Sequence, residues 1–414
     1  MHATPLLRMR WRPYDSYKYQ FCDKRFLKVG RIRLCAAGGW RSSICNDRAL
    51  WGVGMEDHAS GDASLSTLAP ALFAGALGLA PLGLQPVLAQ ATASPSVSTG
   101  LVSGCELAAM ALACAIFVTR PLPAVLYGLM MSLGQASALY LPDFAMAERI
   151  FAGIGEGGLC ALAVAAVLRG ANPVRAASLF TALSALPQIC GWLVQLHFPG
   201  PFSAALCLIV SGALAVAVAA RWRLSLARTP VAFPRLAHPP FRVQWTIAFI
   251  ALLNFSGDLV WVDLGEWLEL HKTLLTGTVT SILFACMVGQ IVTTLAMARY
   301  GPEHRIEGWL TIVCGLEALG VVGLLTMPAH IPFAIAGILA TAAWQASLPL
   351  ATGLYLAIVE RTHGQLVLPV SLGAMSLASS LAGDLSPQRI VACLALVIVV
   401  LVAGMIGLTA VRLR

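Results

Sequence analysis

From about residue 67 onward, long apolar runs alternate with short connections rich in arginine, proline and glycine. A run of about 20 apolar residues, helical at ~1.5 Å per residue, covers the hydrocarbon core of a bilayer. The pattern predicts helices at about Leu68–Gln90, Gly100–Val118, Leu122–Leu141, Phe144–Leu168, Ala176–Leu196 and Phe202–Ala220. A basic linker, Arg221–Val243, follows. Six more helices are expected at about Gln244–Leu264, Gly277–Ala298, Ile306–Met327, Ile331–Val359, Gln365–Leu385 and Arg389–Leu408. Pro81, Pro86, Pro187, Pro349 and Pro369 fall inside these spans and predict kinks or breaks that a helix bundle tolerates.

The first 66 residues follow a different pattern. They hold 11 of the 27 Lys and Arg and no long apolar run, and so lack the apolar core of a signal peptide. They read as a basic, polar tail without a fold of its own. One reading starts translation at Met55, which opens a short polar leader before the first span and leaves 1–54 outside the native protein. The other keeps the tail as a cytosolic segment that holds anionic lipid.

Composition agrees with the spans. Hydrophobic residues make up 58% of the chain and charged residues 11%, with a mean hydropathy of +0.80, which excludes an ordinary soluble domain. The net charge of +8 sits in short loops and the tail, so it is no signal for nucleic acid. Eight of the eleven cysteines are scattered singly through apolar segments and read as small hydrophobes. No cysteine or histidine spacing suggests a metal site or a disulfide framework. No glycine-rich phosphate loop ends in Lys-Ser or Lys-Thr, and no histidine lies in a span to serve as a base. The sequence therefore predicts neither an enzyme nor a bound cofactor.

Arginines orient the spans. With the N-terminus in the cytoplasm, the inner loops and C-terminal end carry thirteen arginines, from Arg120 to Arg414. The outer loops carry Lys272 and Arg389 alone. Positive charge collects on the cytoplasmic side, so the asymmetry supports twelve spans with both termini inside.

The spans divide six and six around the linker, giving segments 67–220, 221–243 and 244–414. The two groups share a weak likeness. Laying Phe144 on Phe333 aligns Phe-Ala-Met-Ala with Phe-Ala-Ile-Ala and sets Glu156 opposite Gln345. The second and eighth spans both begin with Thr-Gly. A parallel repeat of two six-helix units is a transporter design with its binding site near the midplane.

The segment from Phe144 carries the strongest chemistry. Glu156 stands at its midpoint, where an ionisable group costs at least ~2.5 kcal/mol unless it meets a partner or a wet cavity. Gly153, Gly157, Ala161 and Ala165 form a smooth stripe for close helix packing. Arg149 lies seven residues before Glu156, on the same face but ~10 Å away along the axis. Substrate, water or another helix is needed to couple the two.

These features resemble the major facilitator superfamily over about residues 66–412. Arg149 followed by Gly153, Gly155 and Gly157 looks like the family's Arg then Gly-x-Gly pattern in the fourth helix. Arg169 to Arg175 resembles its basic turn, and Ala298-Arg299-Tyr300-Gly301 with Arg305 looks like a degraded copy of its Asp-Arg-x-Gly loop. The stronger copy is missing, since Thr119-Arg120-Pro121 is all that joins the second and third spans. Ala185 to Gly191 keeps only fragments of the drug-antiporter signature. The resemblance implies an all-α protein of twelve transmembrane helices. Helices 1, 2, 4, 5, 7, 8, 10 and 11 would surround a cavity, with 3, 6, 9 and 12 outside.

Candidate substrate or proton-binding residues follow in place. Glu156 and Arg149 are joined by Glu106 in the second span and Asp258 in the seventh. Gln85, Gln188 and Gln345 offer neutral hydrogen bonds to a solute, or glue between helices. Glu317 sits in the middle of the ninth span, where the resemblance leaves it without a role. Trp261 and Trp267 read as an interfacial belt. The expected function is alternating-access transport of a small solute across the cytoplasmic membrane, with proton coupling through Glu156 or Glu106. An uncoupled facilitator and a transport-silent scaffold or assembly factor remain open alternatives.

Overall fold

The computed structural model describes residues 64–84, 99–140, 144–198, 200–225, 241–272, 276–302, 305–327, 331–358, 361–382 and 386–412. The basic tail, most of the linker and Gln85 lie outside these residues.

Twelve long α-helices occupy the described residues. They are α1 (Leu65–Gly78), α2 (Thr99–Thr119), α3 (Ala124–Tyr140), α4 (Ala145–Arg169), α5 (Pro173–His197) and α6 (Pro201–Arg221). The series continues with α7 (Phe241–Lys272), α8 (Thr276–Tyr300), α9 (Ile306–Thr326), α10 (Ile331–Ile358), α11 (Val367–Ala382) and α12 (Pro387–Arg412). A 3-10 turn, Arg361–Leu366, leads into α11. Eleven of these spans are long and apolar enough to cross a membrane, counting 65–84 as one. The twelfth, α3, has 17 described residues, a rise of about 25 Å.

Two elements depart from the expected bounds. The seventh helix runs on to Lys272, well past the expected end near Leu264, because no proline or glycine pair interrupts it. The eleventh begins as a 3-10 turn, which brings the chain round from α10 before the α-helix sets in at Val367.

Local chemistry sets the helix ends. Asn172 accepts a hydrogen bond from the Arg175 backbone N–H at 3.1 Å, and Pro173 occupies the first helical position of α5. Gly200, at φ 139°, makes the turn into α6, where a side chain would be strained. The α-helix of α1 stops at Gly78, turns at Leu79 and resumes over 80–84. Pro81, which has no N–H to donate, lies just beyond the break. Two α5 side chains bond carbonyls around it: Gln188 Nε2 donates to Leu79 O at 2.9 Å and Trp192 Nε1 to Gly83 O at 2.8 Å.

Helix neighbours repeat after six helices. The fourth helix packs against α1, α2 and α3, and α10 packs against α7, α8 and α9. Likewise α6 lies on α1 and α3, and α12 on α7 and α9. The first six helices meet the last six most extensively at two seams, α2 with α11 and α5 with α8. At the first seam Ser376 donates to the Gly104 carbonyl at 2.7 Å.

The outer helices expose large apolar side chains. Leu126 and Leu133 on α3, Val210 on α6, Ile312 and Leu319 on α9, and Val399 and Ile406 on α12 are all exposed. So much exposed apolar surface would be a liability in water and is the natural surface in lipid.

Candidate functional site

Two buried polar assemblies stand out. The first joins α2, α3 and α4. Glycines on α4 bring the three helices together: a Cβ at Gly157 would meet the Met110 carbonyl of α2, and one at Gly158 would meet the Tyr127 ring of α3. Side chains one turn away therefore lie within hydrogen-bonding reach. Gln135 of α3 sits at the centre, with no exposed surface. Its Nε2 donates to Glu106 Oε1 at 2.8 Å and to Glu156 Oε1 at 3.0 Å, and its Oε1 accepts from Arg149 at 2.5 Å. Arg149 also lies 3.6 Å from Glu106.

This assembly answers how Arg149 and Glu156 communicate across two turns: another helix bridges them. Both amide hydrogens of Gln135 are used, as is one lone pair of its oxygen. Glu156 Oε2 is buried with no hydrogen-bond partner. Gln135 escaped the sequence reading because the third helix was expected outside the cavity. An amide in the middle of an apolar span was the available signal.

The second assembly is a cavity. It is walled by α1, α4, α5, α7, α8, α10, the 3-10 turn and α11, and encloses about 960 Å³ of empty space, open mouth included. Most of its wall is apolar, including Leu79, Phe180, Trp261 and Leu372. Its polar lining includes Gln188, Asp258, Gln290, Trp344 and Gln345. Asp258 accepts from Ser379 Oγ at 2.8 Å through Oδ2.

Of the sequence candidates, Asp258, Gln188 and Gln345 thus line the cavity, while Glu156, Arg149 and Glu106 form the separate cluster. Glu156 and Gln345, paired by the internal alignment, do not face each other, because Glu156 turns toward α2 and α3. Trp261 belongs to the cavity wall and is 3% exposed, which corrects its reading as an interfacial residue. Gln290 and Trp344 are further cavity residues that the sequence reading missed. Glu317 is buried on α9, and neither carboxylate oxygen has a hydrogen-bond partner.

Residues of both groups of helices meet at one end of the cavity. A Cβ on Gly353 of α10 would meet Val174 of α5, and one on Gly364 of the 3-10 turn would lie 2.6 Å from Leu168 Cδ2 of α4. This is the end at which α4 passes into α5 and α10 into α11.

A polytopic membrane protein with a central cavity is the class these features define. No family model and no curated protein matches the sequence. Solved structures do. The human organic anion transporter MFSD10 (TETRAN) superposes with a TM-score of 0.66 at 13% identity, over 83% of this chain and 98% of that one. FucP, a major facilitator superfamily transporter in the outward conformation, gives 0.59 at 14% identity, over 82% and 98%. The nucleoside transporter NupG gives 0.56 at 13% identity, over 84% and 99%. The chain has the fold of the major facilitator superfamily transporters.

Proposed function

We propose that the protein moves a small solute across the cytoplasmic membrane by alternating access. The observation that carries this reading is the cavity between α1, α4 and α5 on one side and α7, α8, α10 and α11 on the other, with residues of both meeting at one end. Six-helix halves rocking about the α2–α11 and α5–α8 seams would open that end and close the other. The arginine asymmetry supports both termini and the linker lying in the cytoplasm, so the end where both groups meet is the cytoplasmic one.

Proton coupling is the finer part of the proposal. The α2–α3–α4 cluster holds two carboxyl groups and one guanidinium, so a single proton balances its charge. An uncoupled facilitator is the second reading, favoured by neither Glu106 nor Glu156 lining the cavity. Solute flux into proteoliposomes, with and without a pH gradient, separates the two. Gradient-driven flux that Glu156→Gln abolishes supports coupling through the cluster. Flux indifferent to the gradient supports the facilitator, and absence of flux across a broad solute panel overturns transport.

A further inference from the structure

Three buried polar atoms on the cavity wall have no hydrogen-bond partner: Asp258 Oδ1 on α7, Gln290 Nε2 on α8 and Trp344 Nε1 on α10. Buried polar groups are almost always paired, and an unpaired one costs ~1–3 kcal/mol. Three lie on the one wall, all on the second six helices, so this wall carries polar groups that a bound solute can pair. The Trp344 indole lies over Gly257, next to Asp258, where a Cβ would strike its ring. The three groups have different chemistry. The Asp258 carboxylate accepts hydrogen bonds, while the Gln290 amide and the Trp344 indole donate.

Charge narrows the occupant further. Asp258 is the one acidic or basic side chain among the described residues that line the cavity. Its Oδ2 is bonded by Ser379, and that hydroxyl brings no charge. A carboxylate buried at membrane depth is favoured by a positive partner. An anionic solute would meet this carboxylate with no cation to offset it. Trp261, Trp344 and Phe180 add aromatic surface that suits a cation with an apolar body.

We infer that the cavity binds an organic cation, an amine whose N–H donates to Asp258 and whose own acceptor takes the Gln290 and Trp344 hydrogens. The inference rests on the transport reading for its purpose but not for its chemistry.

The test uses the purified full-length protein and three probes. Procainamide carries a protonated tertiary amine and an amide carbonyl, and two analogues replace the amine by a carboxylate or a hydroxyl. Affinities are read by thermal stabilisation and equilibrium binding. The amine binds tightest, and Asp258→Asn weakens it by about tenfold or more, as expected for a hydrogen bond to a charged group. Trp344→Phe, which keeps the ring's bulk, weakens it by about three- to tenfold. Should Asp258→Asn fail to elute as a monodisperse species, Asp258→Glu and Trp344→Phe carry the test. Carboxylate or hydroxyl probes binding as tightly as the amine overturn the inference, as does amine affinity unchanged by these substitutions or no binding by any probe. Asp258-dependent binding without flux in proteoliposomes defeats the transport reading alone. Flux of the carboxylate probe in preference to the amine defeats the ligand class alone.

Discussion

The Nε2 of Gln135 lies 3.0 Å from Oε1 of Glu156, and through it a residue on α3 holds the carboxyl at the centre of α4. The same nitrogen reaches Glu106 at 2.8 Å, so two acidic side chains converge on one neutral amide with Arg149 behind it. Removing the one positive member leaves two carboxyl groups buried without a counter-charge. Arg149→Met is therefore expected to destabilise the protein by ~3–5 kcal/mol. Gln135→Leu is expected to cost less, ~1–3 kcal/mol, because it takes away hydrogen bonds but no charge. Thermal unfolding in detergent orders the two. A larger loss for Gln135→Leu would mean that the amide, rather than the guanidinium, holds the cluster together.

Close packing makes a second, steric prediction. At Gly157 the obstacle is backbone, the Met110 carbonyl, and backbone cannot rotate aside as a side chain can. Gly157→Val is expected to abolish folded protein in the membrane. At Gly373 of α11 a Cβ would have no other atom within 4 Å, so Gly373→Ala should be neutral or stabilise by up to ~1 kcal/mol. Comparing monodisperse yields of the two variants checks the contrast. Equal yields would show that α2 and α4 can separate freely.

The sequence carried the number, order and approximate bounds of the helices, because membrane spans announce themselves by length and apolar content. It also showed that Arg149 and Glu156 need an intermediary. It did not show which one, since Gln135 is distant in sequence and nothing in the α3 pattern says which face meets α4. Asp258 was visible as a charge in a span, but its cavity companions Gln290 and Trp344 were not. An amide and an indole are common in membrane helices, and only the packing of α7, α8 and α10 gathers them. The reading of Trp261 failed for a related reason: α7 runs further than expected, which moves that residue away from the helix end.

Glu317 gives a prediction of opposite sign. Buried on α9 with neither oxygen hydrogen-bonded, it is a polar group kept where lipid or apolar side chains would be cheaper. Glu317→Leu is expected to stabilise the protein, by a margin of order ~2.5 kcal/mol on insertion scales. A lower unfolding temperature for this variant would reveal a polar partner for the carboxyl.

The end of the cavity where the two groups meet can be tested by cross-linking. Val174 and Gly353 come from α5 and α10, and a side chain on the second would meet the first. With both changed to cysteine and the other cysteines replaced, mild oxidation is expected to join them. Solute flux should stop and return on reduction. Flux that continues through the cross-linked protein would mean that this end does not need to open.

The contact between α2 and α11 bears on how such opening could occur. There a hydroxyl of Ser376 meets a carbonyl of Gly104, and Ser380 crowds the same glycine from the next turn. The nearest atoms to a Cβ at Gly104 are Ser380 Oγ and Cβ and the Ser376 carbonyl. A surface built from a glycine, hydroxyls and carbonyls behaves like a bearing: one hydrogen bond can be exchanged for another as the helices roll, and no side chain has to leave a socket. Rocking between the two groups of helices would turn on this seam.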